Sequence, residues 1–232
     1  MERVSVRHGK HPTVLVAPHG YPGDDYNTNL IVDVIANKLD ASSIINHGWQ
    51  KSDVLDISGE KANCNNINHL IDEVGDEFLT PFIRMVKRVV RSHKKCLVVL
   101  IHGVSNSVRK IAGDMSLDMI VGYGNGHPMP SYTCPYGIKD YIIYNLSQNS
   151  IGTYEGKAKG RYSGFAKTNL NQYWRQHHID MSVESVQIEI VRELREDRTI
   201  STLTAEYMAE ALDDALNNRY WKKPTSFSSK RI

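Results

Sequence analysis

The 232-residue sequence predicts an α/β fold: a mostly parallel or mixed central sheet with helices on both faces, in three layers. Two observations carry this. Short apolar runs recur along the chain at Val14 to Ala17, Cys96 to Ile101, Met119 to Val121 and Ser185 to Ile190, the first three ended by proline, histidine and glycine. Between them lie segments with apolar residues at helical spacing.

The first strand is Thr13-Val-Leu-Val-Ala17, too short for a helix and apolar enough to be covered on both faces. Pro18, Gly20, Pro22 and Gly23 forbid its continuation, so His19 stands at the carboxyl end of a strand, where open α/β sheets place their ligands. Thr28 is the expected N-cap of a helix over Asn29 to Leu39. Ser43 to Asn46 and Val54 to Ile57 read as strands, and the asparagine-rich segment from Ser58 to His69 as a loop. Thr80-Pro81 marks a helix start, with Phe82, Met85, Val86 and Val89 on its buried stripe and basic residues on the solvent side.

Cys96 to Ile101, followed by His102 and Gly103, repeats the logic of the opening strand. Met119 to Val121 and Tyr141 to Tyr144 fit further strands. Ser185-Val-Gln-Ile-Glu-Ile190 is the last, and it places Glu189 inside an otherwise apolar run, where a carboxylate must be paired or neutralised. A helix from about Thr204 to Asn217 closes the core, and the tail from Lys222 to Ile232 is expected to fray. One domain is expected over residues 1 to 232, with its core at about 12 to 218.

Composition narrows the function classes. The net charge of +2 and the short lysine pairs Lys94-Lys95 and Lys222-Lys223, with no interleaved aromatics, argue against a nucleic-acid partner. The widely spaced Cys64, Cys96 and Cys134 form neither a disulfide framework nor a thiolate zinc pattern. A polar N-terminus and the lack of any segment of membrane-spanning length point to the cytoplasm, with no membrane partner.

The chemistry lies in the two histidines that end strands. Zinc accepts imidazole nitrogen and carboxylate oxygen, and catalytic sites use three protein ligands plus water. His19, His102 and an acid from the intervening turn would supply that set. Spacing leans to Asp24, five residues past His19 across two glycines; Asp25 is the alternative, or else caps the helix or orients a histidine. Glu189 is the candidate general base, and an edge-strand carboxylate that is either in solvent or salt-bridged to Arg192 is the equal rival reading. His177-His178 looks like a metal pair but sits in a polar stretch that reads as exposed loop, the remaining histidines show no ligand spacing, and Ser105 lies in no nucleophile elbow.

Taken together and in order, Pro18-His19 with Asp24, the Asn63 to His69 segment, Ile101-His102, Asp118 to Gly122, Tyr162 to Phe165 and Val186-Gln-Ile-Glu-Ile190 resemble N-formylglutamate amidohydrolase-like proteins. That family is similar to the phage poly-γ-glutamate hydrolases and, in fold, to zinc carboxypeptidases. The resemblance implies a zinc-dependent hydrolase of an amide bond in a small acidic N-acyl amino acid or peptide. His19, Asp24 and His102 match the metal positions and Glu189 the base.

Some positions depart from the family pattern. Gly20 and Gly103 stand where members often have serine, Asp24 where the ligand is usually glutamate, and Asn65-Asn66-Ile67 where an arginine commonly holds the substrate carboxylate. Arg161 and Arg109 are the candidate replacements for that cation, beside Asn66 itself. A non-catalytic, metal-containing module that binds an acidic peptide or amino-acid derivative is the alternative reading.

Overall fold

In a computed structural model, residues 2–21, 23–49, 64–67, 72–126, 132–177 and 182–217 are described. The described elements are, in chain order, β1 Val4–Arg7, β2 Thr13–Ala17, α1 Thr28–Leu39, β3 Ser42–Asn46, α2 Asp72–Val74, α3 Thr80–His93, β4 Cys96–Val104, α4 Ser107–Ala112, β5 Met119–Gly122, α5 Tyr136–Gln148, β6 Thr153–Glu155, α6 Tyr173–His177, β7 Val183–Val191, α7 Glu193–Glu196 and α8 Arg198–Asn217.

One seven-stranded sheet runs in the order β1-β3-β2-β4-β7-β5-β6. Its centre, β3-β2-β4-β7, is parallel, as the apolar, doubly covered strands require. β1 pairs antiparallel with β3, and β5 with β7, so the sheet is mixed. Side-chain alternation sends Leu15, Val99, Ile101, Val186 and Ile188 to one face, where α1, α5 and α8 cover them. Val14, Val16, Val98 and Leu100 go to the other, against Phe78, Phe82, Met85 and Val86 of the helical segment that ends in α3. The three expected layers are present.

Several boundaries differ from the sequence reading. Tyr141 to Tyr144 is not a strand but part of α5, because Ile138, Ile142 and Leu146, spaced by four, form a buried stripe that outweighs the strand preference of the neighbouring tyrosines. α3 starts at Thr80 as expected, but not from a free end: a π-helical turn at Gly75–Leu79 joins it to α2, and the Thr80 N–H reaches back to the Gly75 carbonyl. Such a widened turn gives Pro81 room inside a helix. α8 begins at Arg198, six residues earlier than expected, because the Asp197 carboxylate caps it, accepting from the amides of Thr199 at 2.7 Å and Ile200 at 3.2 Å. The short edge strands β1 and β6 escaped the sequence reading, whereas Val54 to Ile57 and the tail from Lys222 lie outside the described residues. Among the described residues no helix is long and apolar enough to cross a membrane.

At the amino end of β7, Arg175 donates to the carbonyls of Tyr132 and Val183 and to Glu184 Oε2 at 3.1 Å. Glu184 is 2% exposed, and its Oε1 has no hydrogen-bond partner among the described residues. Burial therefore outweighs the Arg175 charge and pushes the carboxyl up to about 7. A raised carboxyl stabilises the fold fully below its unfolded value of 4.5, and that contribution is lost as pH rises through about 7.

Two outcomes follow for equilibrium unfolding. Glu184→Gln flattens the fall in stability between about pH 4.5 and 7, read as the urea midpoint across that range. Phe82→Ala, which empties a fully buried site between β4 and α3, lowers the unfolding free energy by about 3–5 kcal/mol.

Candidate functional site

The carboxyl ends of β2, β4 and β7 converge on a cleft of about 440 Å³ lined by His19, Asp25, Asn65, His102, Arg161, Tyr162, Asn169, Gln187 and Glu189, among others. β2 delivers His19 two residues past its end. β4 delivers His102 directly, and the parallel register sets it opposite Glu189 on β7, so both side chains leave the sheet on the same face. Along that face β7 presents Ser185, Gln187 and Glu189, while Val186, Ile188 and Ile190 enter the core. The strand that read as apolar with one acid is thus half polar.

The turn after His19 sets which acid faces the histidines. The Asp25 amide donates to the His19 carbonyl at 3.2 Å, and the Asp25 carbonyl accepts from the Thr28 hydroxyl at 2.8 Å. Thr28 is the first helical residue rather than the cap, which is Asn27 at φ 61°, so its hydroxyl is used to hold Asp25. This closure turns Asp25 inward, 7% exposed, with Oδ2 3.4 Å from His19 Nδ1 and 3.5 Å from His102 Nδ1. Asp24, the acid favoured by spacing, stands 3.9 Å from His19 with its side chain 31% exposed. Adjacent residues point apart, and the loop closure decides which one faces the histidines.

His19, Asp25 and His102 form a buried cluster whose three potential ligand atoms lie within 4.8 Å of one another. Asp25 Oδ2 is buried and makes no well-directed hydrogen bond among the described residues, although it is close to both rings. Ligand atoms about 2.1 Å from a tetrahedral zinc stand about 3.4 Å apart, so the Asp25 spacings fit a shared cation. Burial pushes the Asp25 carboxyl up, but His102 and then His19 outweigh it and hold the carboxyl well below the usual carboxylate range. Two imidazoles and an anionic oxygen are a donor set suited to zinc.

Glu189 is 8% exposed and accepts from Gln187 Nε2 at 3.1 Å. Arg192, the pairing rival, is engaged instead with Glu196, one helical turn on. Gln187 also donates to the Tyr162 carbonyl and accepts from Asn169 Nδ2 at 3.1 Å, tying the 162–169 loop to the cleft.

The expected substrate residues separate. Arg161 lines the cleft, exposed, with its guanidinium over the Tyr162 ring. Arg109 does not line it: its guanidinium is held by Asp118, Glu193 and the Leu117 carbonyl, a structural clamp. Asn66 forms a bridge with Asn169, and the neighbouring Asn65 lines the cleft instead. Two residues essential to the layout gave no sequence signal. Asn46, fully buried at the end of β3, donates to the Pro18 carbonyl at 2.8 Å just before His19. Arg195 is buried behind Gly103, in a run of charges that reads as solvent-facing.

No family model matches the chain, and neither does any curated protein. Solved structures do. N-formylglutamate amidohydrolase from Ralstonia eutropha JMP134 superposes with a TM-score of 0.64 at 13% identity, covering 95% of this chain and 100% of that one. The chain has the fold of that amidohydrolase. A bacteriophage poly-γ-glutamate hydrolase matches with a TM-score of 0.59 at 16% identity over 95% of this chain and 90% of its own. A metallo-carboxypeptidase from Burkholderia cenocepacia matches at 0.52 and 14%, over 94% of this chain and 66% of that one. At these identities the likeness is one of architecture, and the resemblance read from the ordered motifs holds at that level.

Proposed function

We propose that the chain is a zinc-dependent hydrolase of the amide bond in a small acidic N-acyl amino acid or peptide. The observation that carries this is Asp25 Oδ2, buried and unsatisfied among the described residues between two imidazole nitrogens, in the cleft that Glu189 also lines. His19, Asp25 and His102 would hold the cation, in place of the set containing Asp24. Bound there, zinc supplies Lewis acidity and a water that ionises near neutrality.

Glu189 accepts a proton from the attacking water and delivers it to the leaving nitrogen. Gln187, donating to Glu189 Oε1 at 3.1 Å, keeps that carboxylate turned towards the cleft. Arg161 is the one Lys or Arg among the described residues lining the cleft, which supports a role in drawing in the substrate carboxylate. The acidic substrate class is supported by two bearers of the fold that are named for formylglutamate and poly-γ-glutamate.

Elemental analysis of the purified protein is expected to give one zinc per chain, lost in His19→Ala and Asp25→Asn and kept in Asp24→Asn. Retention of zinc by Asp25→Asn would return the ligand role to Asp24. Glu189→Gln keeps the metal but slows hydrolysis of N-acyl glutamates by about 10²–10⁴-fold. Unchanged turnover in that variant removes Glu189 as base. Arg161→Ala raises KM for acidic substrates by about tenfold, the worth of one hydrogen bond to a charged group.

A further inference from the structure

Arg195 is 5% exposed, and its guanidinium donates to three backbone carbonyls. Nε reaches Ile190 at 2.9 Å, Nη1 reaches Tyr26 at 2.6 Å and Nη2 reaches Val104 at 3.3 Å. Ile190 follows Glu189, Tyr26 follows Asp25, and Val104 lies two residues past His102. One planar side chain therefore grips the three segments that carry the acid, one histidine and the base. The link is returned from the other side, because Asn27 Nδ2 donates to the Arg195 carbonyl at 2.8 Å.

The space for this grip is made by Gly103. A Cβ there would lie 2.3 Å from the guanidinium carbon, closer than any side chain tolerates. Gly103 and Arg195 thus act as a matched pair, which explains why the position after His102 is glycine. An arginine suits the task because its fork offers several donors in one rigid plane, which an ammonium group cannot copy.

We infer that Arg195 is a positioning residue that sets the separation of Asp25 from His102 and Glu189, and through it the metal affinity and turnover of the site. The inference rests on the metallohydrolase reading. It is tested by zinc affinity, measured by chelator competition on the folded protein, and by the split between kcat and KM at saturating zinc.

Arg195→Met, Arg195→Lys and Gly103→Ala are each expected to bind zinc about 10- to 100-fold more weakly, the usual effect of removing a group that orients metal ligands. kcat falls and KM holds, since Arg195 touches no substrate. Arg175→Met is the control, because Arg175 is also buried and bonded to backbone carbonyls but lies at the opposite end of β7. It is expected to lower stability and leave zinc affinity unchanged, as a merely structural loss would. Wild-type zinc affinity in Arg195→Met, or an equal loss in Arg175→Met, overturns the inference while leaving the metallohydrolase reading intact. If Arg195→Met does not fold, Gly103→Ala with wild-type affinity and kcat overturns it in the same way. A wild-type protein that takes up no zinc removes both readings.

Discussion

The register between β4 and β7 is the constraint on which the rest depends. Nine consecutive pairs run from Cys96 opposite Val183 to Val104 opposite Val191, and the seventh sets His102 beside Glu189. Side chains alternate with a period of two, so a slip of one residue would send Glu189 into the apolar layer and Ile190 into the cleft. The core forbids that slip, since Val186, Ile188 and Ile190 fill the face packed by α1, α5 and α8. Hydrophobic packing on one side of the sheet thereby enforces the placement of His102 and Glu189 on the other.

The remaining acid comes from a loop, and its placement needs more than a strand. Asn46 holds the chain before His19, the Asp25 amide closes back on the His19 carbonyl, and Thr28 secures the Asp25 carbonyl. These are directional bonds to backbone, each worth about 1 kcal/mol net, and together they order a turn rich in glycine and proline. Without them a buried carboxylate between two imidazoles would be costly to assemble.

Much of this was legible in the sequence, and the gaps have physical causes. The apolar runs at Val14 to Ala17 and Cys96 to Ile101 announce covered strands, and a histidine ending each announces a site. Glu189 stood out because a carboxylate in an apolar run demands an explanation. Asp24 and Asp25 could not be separated by spacing, since the choice depends on which backbone amide closes the turn. Tyr141 to Tyr144 misled because β-branched and aromatic residues also suit a helix whose stripe recurs every four residues. Asn46 and Arg195 were invisible because their partners are backbone carbonyls, several of them far along the chain, which no pattern of residue types records.

The ends of the sheet differ from its centre in a way that bears on durability. β6 has three residues and β1 four, and both lie outside the strands that supply His102 and Glu189. Short outer strands offer little template for pairing with another molecule. Each is also paired on one side only, the arrangement from which local opening starts most easily. Fraying that starts at either end must therefore cross at least two strands before it reaches the β4–β7 pair that carries His102 and Glu189.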